Sequence, residues 1–156
     1  MLNLLEEQQL GCIKDDPVRP HINALWRIEE GREVYSLTED QYAEFDEVLH
    51  EGPTAIICVS YCNEIPTSEE DLITYNDPDG NIAVFYTVWS YVRGAGKTIV
   101  LDTASHINRT RPEIERFVTL SPKTEMARKF HLRNGAFALR ENAKSINYEY
   151  PTEVIK

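Results

Sequence analysis

Apolar positions recur along this chain with two periods. Runs rich in β-branched and aromatic residues predict strands at Glu33–Leu37, Thr54–Tyr61, Ile82–Trp89, Glu115–Leu120, Ala136–Leu139 and Ile146–Tyr150. Helical spacing fills much of the rest. Leu2, Leu4, Leu5 and Leu10 predict a short helix over residues 2–11, stopped at Gly11. A helical turn around Ile22–Ile28 is expected to bury Trp26. Thr38 to Gln41 has the spacing of a capping box, opening a helix to about His50 with Tyr42, Phe45, Val48 and Leu49 on one stripe. Lys97–Ile107 predicts another helix. A last one starts at Ser121-Pro122, turns Met126, Ala127, Phe130 and His131 inward, and stops at Asn134-Gly135. The acidic connector Asn63–Gly80 makes the strands on either side of it antiparallel neighbours.

The most informative stretch is Tyr86–Thr98, YTVWSYVRGAGKT. A strand, a turn with Gly94 and Gly96, and a helix N-terminus follow one another. First-turn amides lack intrahelical acceptors, and the helix dipole adds partial positive charge there. Arg93 and Lys97 bracket the turn, so a phosphate or pyrophosphate is the natural ligand. A Walker A loop needs its first glycine where Tyr91 stands, and no aspartate-ended hydrophobic run follows at a suitable distance.

At 156 residues the chain predicts one domain with a substantial core. No apolar run is long enough to cross a bilayer, which argues against a membrane partner. The N-terminal MLNLLEEQQLG is acidic where a secretory leader is basic. With Cys12, Cys58 and Cys62 read as reduced thiols, this suggests a cytoplasmic setting. Cys58 and Cys62 lack a second pair, so no metal is expected. The net charge of −10 is unevenly spread: residues 1–80 hold 19 acidic and 4 basic side chains, residues 81–156 hold 7 and 12. A basic second half suits a polyanionic cofactor, and an acidic first half suits a cationic acceptor. Nucleic acid is disfavoured as a partner.

Arg93-Gly94-Ala95-Gly96-Lys97-Thr98 resembles the acetyl-CoA pyrophosphate loop of the GCN5-related N-acetyltransferase (GNAT) superfamily, [QR]-x-x-G-x-[GA]. It matches at Arg93 and Gly96 and departs at Thr98. Thr124 to Ala136 resembles the family's N-x-x-A-x-x-[FY]-Y-x-x-x-G-F helix, matching at Ala127, Phe130 and Gly135. The resemblance covers about residues 82–150 and leaves a divergent N-terminal part at residues 1–50. It implies an α/β (α+β) fold: a mixed sheet of six or seven strands, splayed between the fourth and fifth and flanked by helices.

The resemblance further implies an acyl-CoA-dependent N-acyltransferase, with acetyl-CoA as cofactor and a small-molecule or peptide amine as acceptor. Val88, Trp89, Arg93, Gly94, Ala95, Gly96, Lys97, Thr98 and Thr124 would hold the cofactor. His131 takes the place of the family's tyrosine acid, and Thr124 that of its asparagine. Glu64 is the candidate base, with Tyr86 positioning a water. Two alternatives stand beside this: a catalytically silent module that binds CoA or a partner protein, and an acyl-CoA enzyme of another kind. Phe117, Thr119, Leu120, Ser121 and Pro122 resemble malonyl-CoA decarboxylases, whose catalytic domain shares this fold. The acceptor is not legible, and the oligomeric state is open, a homodimer being one option.

Overall fold

The structure is a computed structural model that describes residues 1–38 and 52–155. The helix expected from Thr38 to His50 falls outside the described residues. Among the described residues seven strands form one sheet: β1 (Leu2–Leu4), β2 (Glu33–Leu37), β3 (Ala55–Cys62), β4 (Ile82–Ser90), β5 (Arg116–Thr119), β6 (Phe137–Glu141) and β7 (Ile146–Tyr150). Their spatial order is β1-β2-β3-β4-β5-β7-β6. Only β4 and β5 run parallel, and every other neighbouring pair is antiparallel. The helices are α1 (Glu69–Thr74), α2 (Ala95–Thr110), α3 (Glu125–Arg133) and α4 (Thr152–Ile155).

All eight residues of β3 are buried, as its unbroken apolar run requires of a central strand. The sheet has a core on each face. On one, Ile57, Val59, Phe85, Phe117, Tyr148 and Tyr150 pack beneath Ile99, Val100 and Ala104 of α2. On the other, Ile56, Cys58, Val84, Tyr86 and Trp89 lie beneath the N-terminal segment, including Leu10 and Ile13.

Two irregularities in β4 shape the molecule. Cys58 pairs with Thr87 and Val59 with Phe85, so Tyr86 is the extra residue of a β-bulge. The ladder to β5 runs only from the Ile82–Arg116 pair to the Phe85–Thr119 pair. One more hydrogen bond follows, from Leu120 N to Phe85 O at 3.2 Å. Beyond it β4 runs on to Ser90 while β5 ends, and the strands part.

The N-terminal leucines do not build the expected helix. Leu2, Asn3 and Leu4 pair with Leu37, Ser36 and Tyr35 as an edge strand. A 3₁₀ segment, Glu7–Asp15, follows and runs through Gly11. Tertiary pairing overrides a weak local preference here. The Asn63–Gly80 connector also carries α1, capped by the Ser68 hydroxyl, which accepts from Asp71 N at 3.2 Å. Trp26 is half-buried, with the Arg32 guanidinium 3.7 Å over its ring. Met126 faces solvent at 82% exposure, so the inner face of α3 is carried by Phe130 and His131.

Candidate functional site

The end of β4 that has parted from β5 leads directly into the N-terminal end of α2. Gly94 precedes that helix with φ +87°, a left-handed conformation that side chains resist, and no side chain caps the helix. Amides of the first turn, at Gly96 and Lys97, therefore face outward without an intrahelical acceptor. Arg93 and Lys97 are exposed on either side. The Thr98 hydroxyl is turned inward and donates to Gly94 O at 3.3 Å. A Cβ placed on Gly96 would lie 3.1 Å from Phe130 Cε1, so the turn sits directly against α3. From β4, Trp89 donates through Nε1 to the Tyr91 hydroxyl at 3.1 Å, and that hydroxyl donates to Asp15 at 2.6 Å. The loop is thereby tied to the N-terminal segment.

His131 lies one residue beyond Phe130 and is buried. Its Nδ1 is 2.7 Å from the Tyr150 hydroxyl. Tyr148 stacks on the imidazole, with ring centres 5.1 Å apart, and Phe130 meets it edge-on at 5.0 Å. Burial pulls the imidazole down to about 4, with no carboxylate among the causes, so the ring is neutral at pH 7. The alternation of β7 sends Tyr148 and Tyr150 to this same face. Thr119 and Ser121 join the group. Tyr148 N donates to Thr119 Oγ1 at 3.0 Å, and Ser121 Oγ is 2.8 Å from the same oxygen. The Tyr148 hydroxyl, fully buried, has no hydrogen-bond partner. Tyr148 thus links the imidazole, through its ring, with the two hydroxyls, through its backbone amide.

On the other face, Arg19 reaches into the point of separation. Its NH1 donates to Tyr86 O and lies 3.2 Å from Thr87 Oγ1, and its NH2 donates to Leu120 O at 3.0 Å. The guanidinium also pairs with Glu69 of α1 at 3.0 Å. Asp16 accepts from Arg19 N at 2.8 Å and, through its other oxygen, pairs at 2.6 Å with the fully buried Arg27.

The residues expected from the sequence divide accordingly. Val88, Trp89, Arg93, Gly94, Ala95, Gly96, Lys97 and Thr98 lie along the end of β4 and the start of α2. Thr124 caps α3, accepting from Ala127 N at 3.2 Å. Glu64 and Tyr86 are not brought to His131. Glu64 is exposed in the loop after β3, whose last residue pairs with Ile82 at the far end of β4 from Ser90. Tyr86 is buried in the opposite core, edge-on to Trp26, and burial pushes its phenol well above the usual range. Sequence reasoning treated Tyr148 and Tyr150 as ordinary strand residues and passed over Arg19. Alternation on β7 was a signal for the tyrosines. Arg19 stands in a proline-flanked loop with no local signal.

No protein-family model matches the chain, and no curated protein sequence does. Solved structures match along nearly its whole length. Malonyl-CoA decarboxylase from Agrobacterium vitis superposes with a TM-score of 0.74 at 17% identity, over 97% of this chain and 60% of that one. The GphF GNAT-like decarboxylase in complex with isobutyryl-CoA gives 0.68 at 16%, over 97% and 98%. Tetrahymena GCN5 gives 0.58 at 12%, over 96% and 94%. The chain spans about three fifths of the malonyl-CoA decarboxylase chains it matches. At these identities the likeness is one of fold.

Proposed function

The chain has the GNAT fold, and from that premise we propose that it binds an acyl-CoA between β4 and β5 where they part and decarboxylates an α-carboxyacyl thioester of the malonyl-CoA type. The pyrophosphate would meet the open amides of Gly96 and Lys97, with Arg93 and Lys97 supplying countercharge. A side chain at Gly96 would strike Phe130, so glycine lets the turn pack against α3. The pantetheine arm would lie along Val88 and Trp89, where β4 has lost its β5 neighbour.

The observation that carries the reading is the buried imidazole of His131, held at Nδ1 by the Tyr150 hydroxyl and stacked on Tyr148. In decarboxylation the bond between Cα and the carboxylate breaks. Its electron pair moves onto the thioester as an enolate, CO2 leaves, and Cα then takes up a proton from solvent. The barrier falls when hydrogen-bond donors meet the enolate oxygen and no cation holds the departing carboxylate. A neutral imidazole and a serine hydroxyl are donors of that kind, and a buried imidazolium would stabilise the ground-state carboxylate instead. Tyr150 holds Nδ1 and so orients the ring, and Nε2 would be the nitrogen that donates to the enolate.

A second reading, acyl transfer to an amine, draws on the Arg93-to-Gly96 loop and on the likeness to Tetrahymena GCN5. It needs a base for the ammonium. Glu64 and Tyr86 are the candidates and neither lies with His131. Incubation with malonyl-CoA, followed by chromatography of the thioesters, tests the first reading: acetyl-CoA should accumulate in step with CO2. Acetyl-CoA offered with an amine panel tests the second through free thiol release. Calorimetry with CoA underlies both, since no binding at millimolar CoA removes them together.

A further inference from the structure

A gap between splayed strands passes through a sheet and has a mouth on each face. In this molecule one mouth would lie on the face that α2 covers. The other lies beneath the N-terminal segment, where Arg19 is 5% exposed. In a parallel ladder, the rung after Leu120 N to Phe85 O would use Leu120 O as acceptor. That carbonyl instead accepts from Arg19 NH2, while Tyr86 O and Thr87 Oγ1 take NH1. One planar guanidinium therefore spans both strands where they diverge. It stops the ladder and fills the gap.

The fork is held rigidly. Glu69 pairs with it from α1, and His21 Nε2 lies 2.8 Å from the other Glu69 oxygen. Asp16 accepts from Arg19 N, and Arg27 donates to Arg19 O at 2.6 Å, so the loop that delivers the side chain is bonded on both sides. NH1 and NH2 both meet oxygens of the two strands, so the guanidinium is committed to β4 and to the end of β5.

We infer that Arg19 is a positioning residue that closes the second mouth of the β4–β5 cleft, so that the site admits an acyl-CoA but no second substrate from the opposite face. This rests on acyl-CoA binding in the cleft, as proposed above. It explains why a reaction within one thioester suits this site. An amine acceptor entering opposite the CoA would meet Arg19 and Glu69 in place of an open channel.

The test compares the purified protein with Arg19→Ala and the milder Arg19→Lys. Each is offered acetyl-CoA with hydroxylamine, a small nucleophile that is uncharged near pH 7.5, and each is assayed separately with malonyl-CoA. The unaltered protein is expected to show no hydroxylamine-dependent CoA release above the enzyme-free rate. Folded Arg19→Ala should gain at least tenfold, and Arg19→Lys about threefold. Hydroxylamine-dependent release by the unaltered protein overturns the inference, whether or not the variants fold. So does a folded variant with no gain. If malonyl-CoA is left intact while Arg19→Ala gains release, the decarboxylase reading fails and the closure stands. Absence of acyl-CoA binding to the unaltered protein sinks both.

Discussion

His131 is the side chain on which the proposed reaction would turn, and its environment makes two behaviours predictable. The ordinary imidazole pKa of about 6.5 is lowered to about 4 in the fold. The unfolded chain therefore binds the proton more tightly than the folded one. Stability from this residue is complete above about pH 6.5 and falls as pH drops toward 4, by at most ~3 kcal/mol on the pKa difference. Denaturant melts between pH 7 and 4 should show that loss, and His131→Phe should flatten it. With malonyl-CoA, His131→Phe should lower kcat by two to three orders of magnitude and change KM little, because the lost hydrogen bond would serve the transition state. Tyr150→Phe isolates positioning: CoA affinity should hold while kcat drops about tenfold, as the imidazole loses its fixed orientation. Retention of kcat in both variants would clear this cluster of a catalytic role.

At the scale of elements, the junction of β4, α2 and α3 decides whether a cleft exists. Gly94 and Gly96 are needed there for different reasons. Gly94 adopts φ +87° with open space around it, so Gly94→Ala should cost about 1 kcal/mol in thermal stability through backbone strain alone. Gly96 has an ordinary φ, but a side chain there runs into Phe130. Gly96→Val should therefore push α3 from α2 and weaken CoA binding more than tenfold by calorimetry. Equal effects of the two changes would mean that strain, and not approach, governs the turn. The β-bulge at Tyr86 belongs to the same junction. It puts Tyr86 and Thr87 toward the N-terminal segment in succession, which lets a single guanidinium reach both.

Across the whole molecule, the N-terminal segment reaches the point where β4 and β5 part. Asp16 and Arg27 form an ion pair with both side chains at 0% exposure. Removing one partner leaves a buried charge alone, so Asp16→Ala should destabilise by ~3–5 kcal/mol in urea melts. Because Asp16 also bonds the backbone of Arg19, that change should raise accessibility at the β4–β5 gap. Charge distribution makes a further global prediction. CoA affinity should fall as salt rises from 0.05 to 0.5 M, and Arg93→Ala with Lys97→Ala should remove most of that slope. An unchanged slope would take the two cations out of phosphate binding.

Much of this architecture was legible in the amino-acid order. Glu33–Leu37 and Ile146–Tyr150 were readable to the residue because they are dense in β-branched or aromatic side chains, and Gly94–Thr98 announced a helix start by its turn chemistry. Leu2–Leu4 misled, since a three-residue edge strand takes its conformation from β2 and not from its own periodicity. The acidic connector hid α1 for a similar reason, as its cap is local while its apolar face is a single buried leucine. Local order thus determined most of the strands and the α2 turn, which depend on neighbours within a few positions. Only the tertiary structure decided that His131 is neutral, that Glu64 and Tyr86 lie away from it, and that Arg19 sits between two strands 67 and 101 residues further along. Burial, and contacts between residues so far apart in the chain, come into being only when the chain is packed.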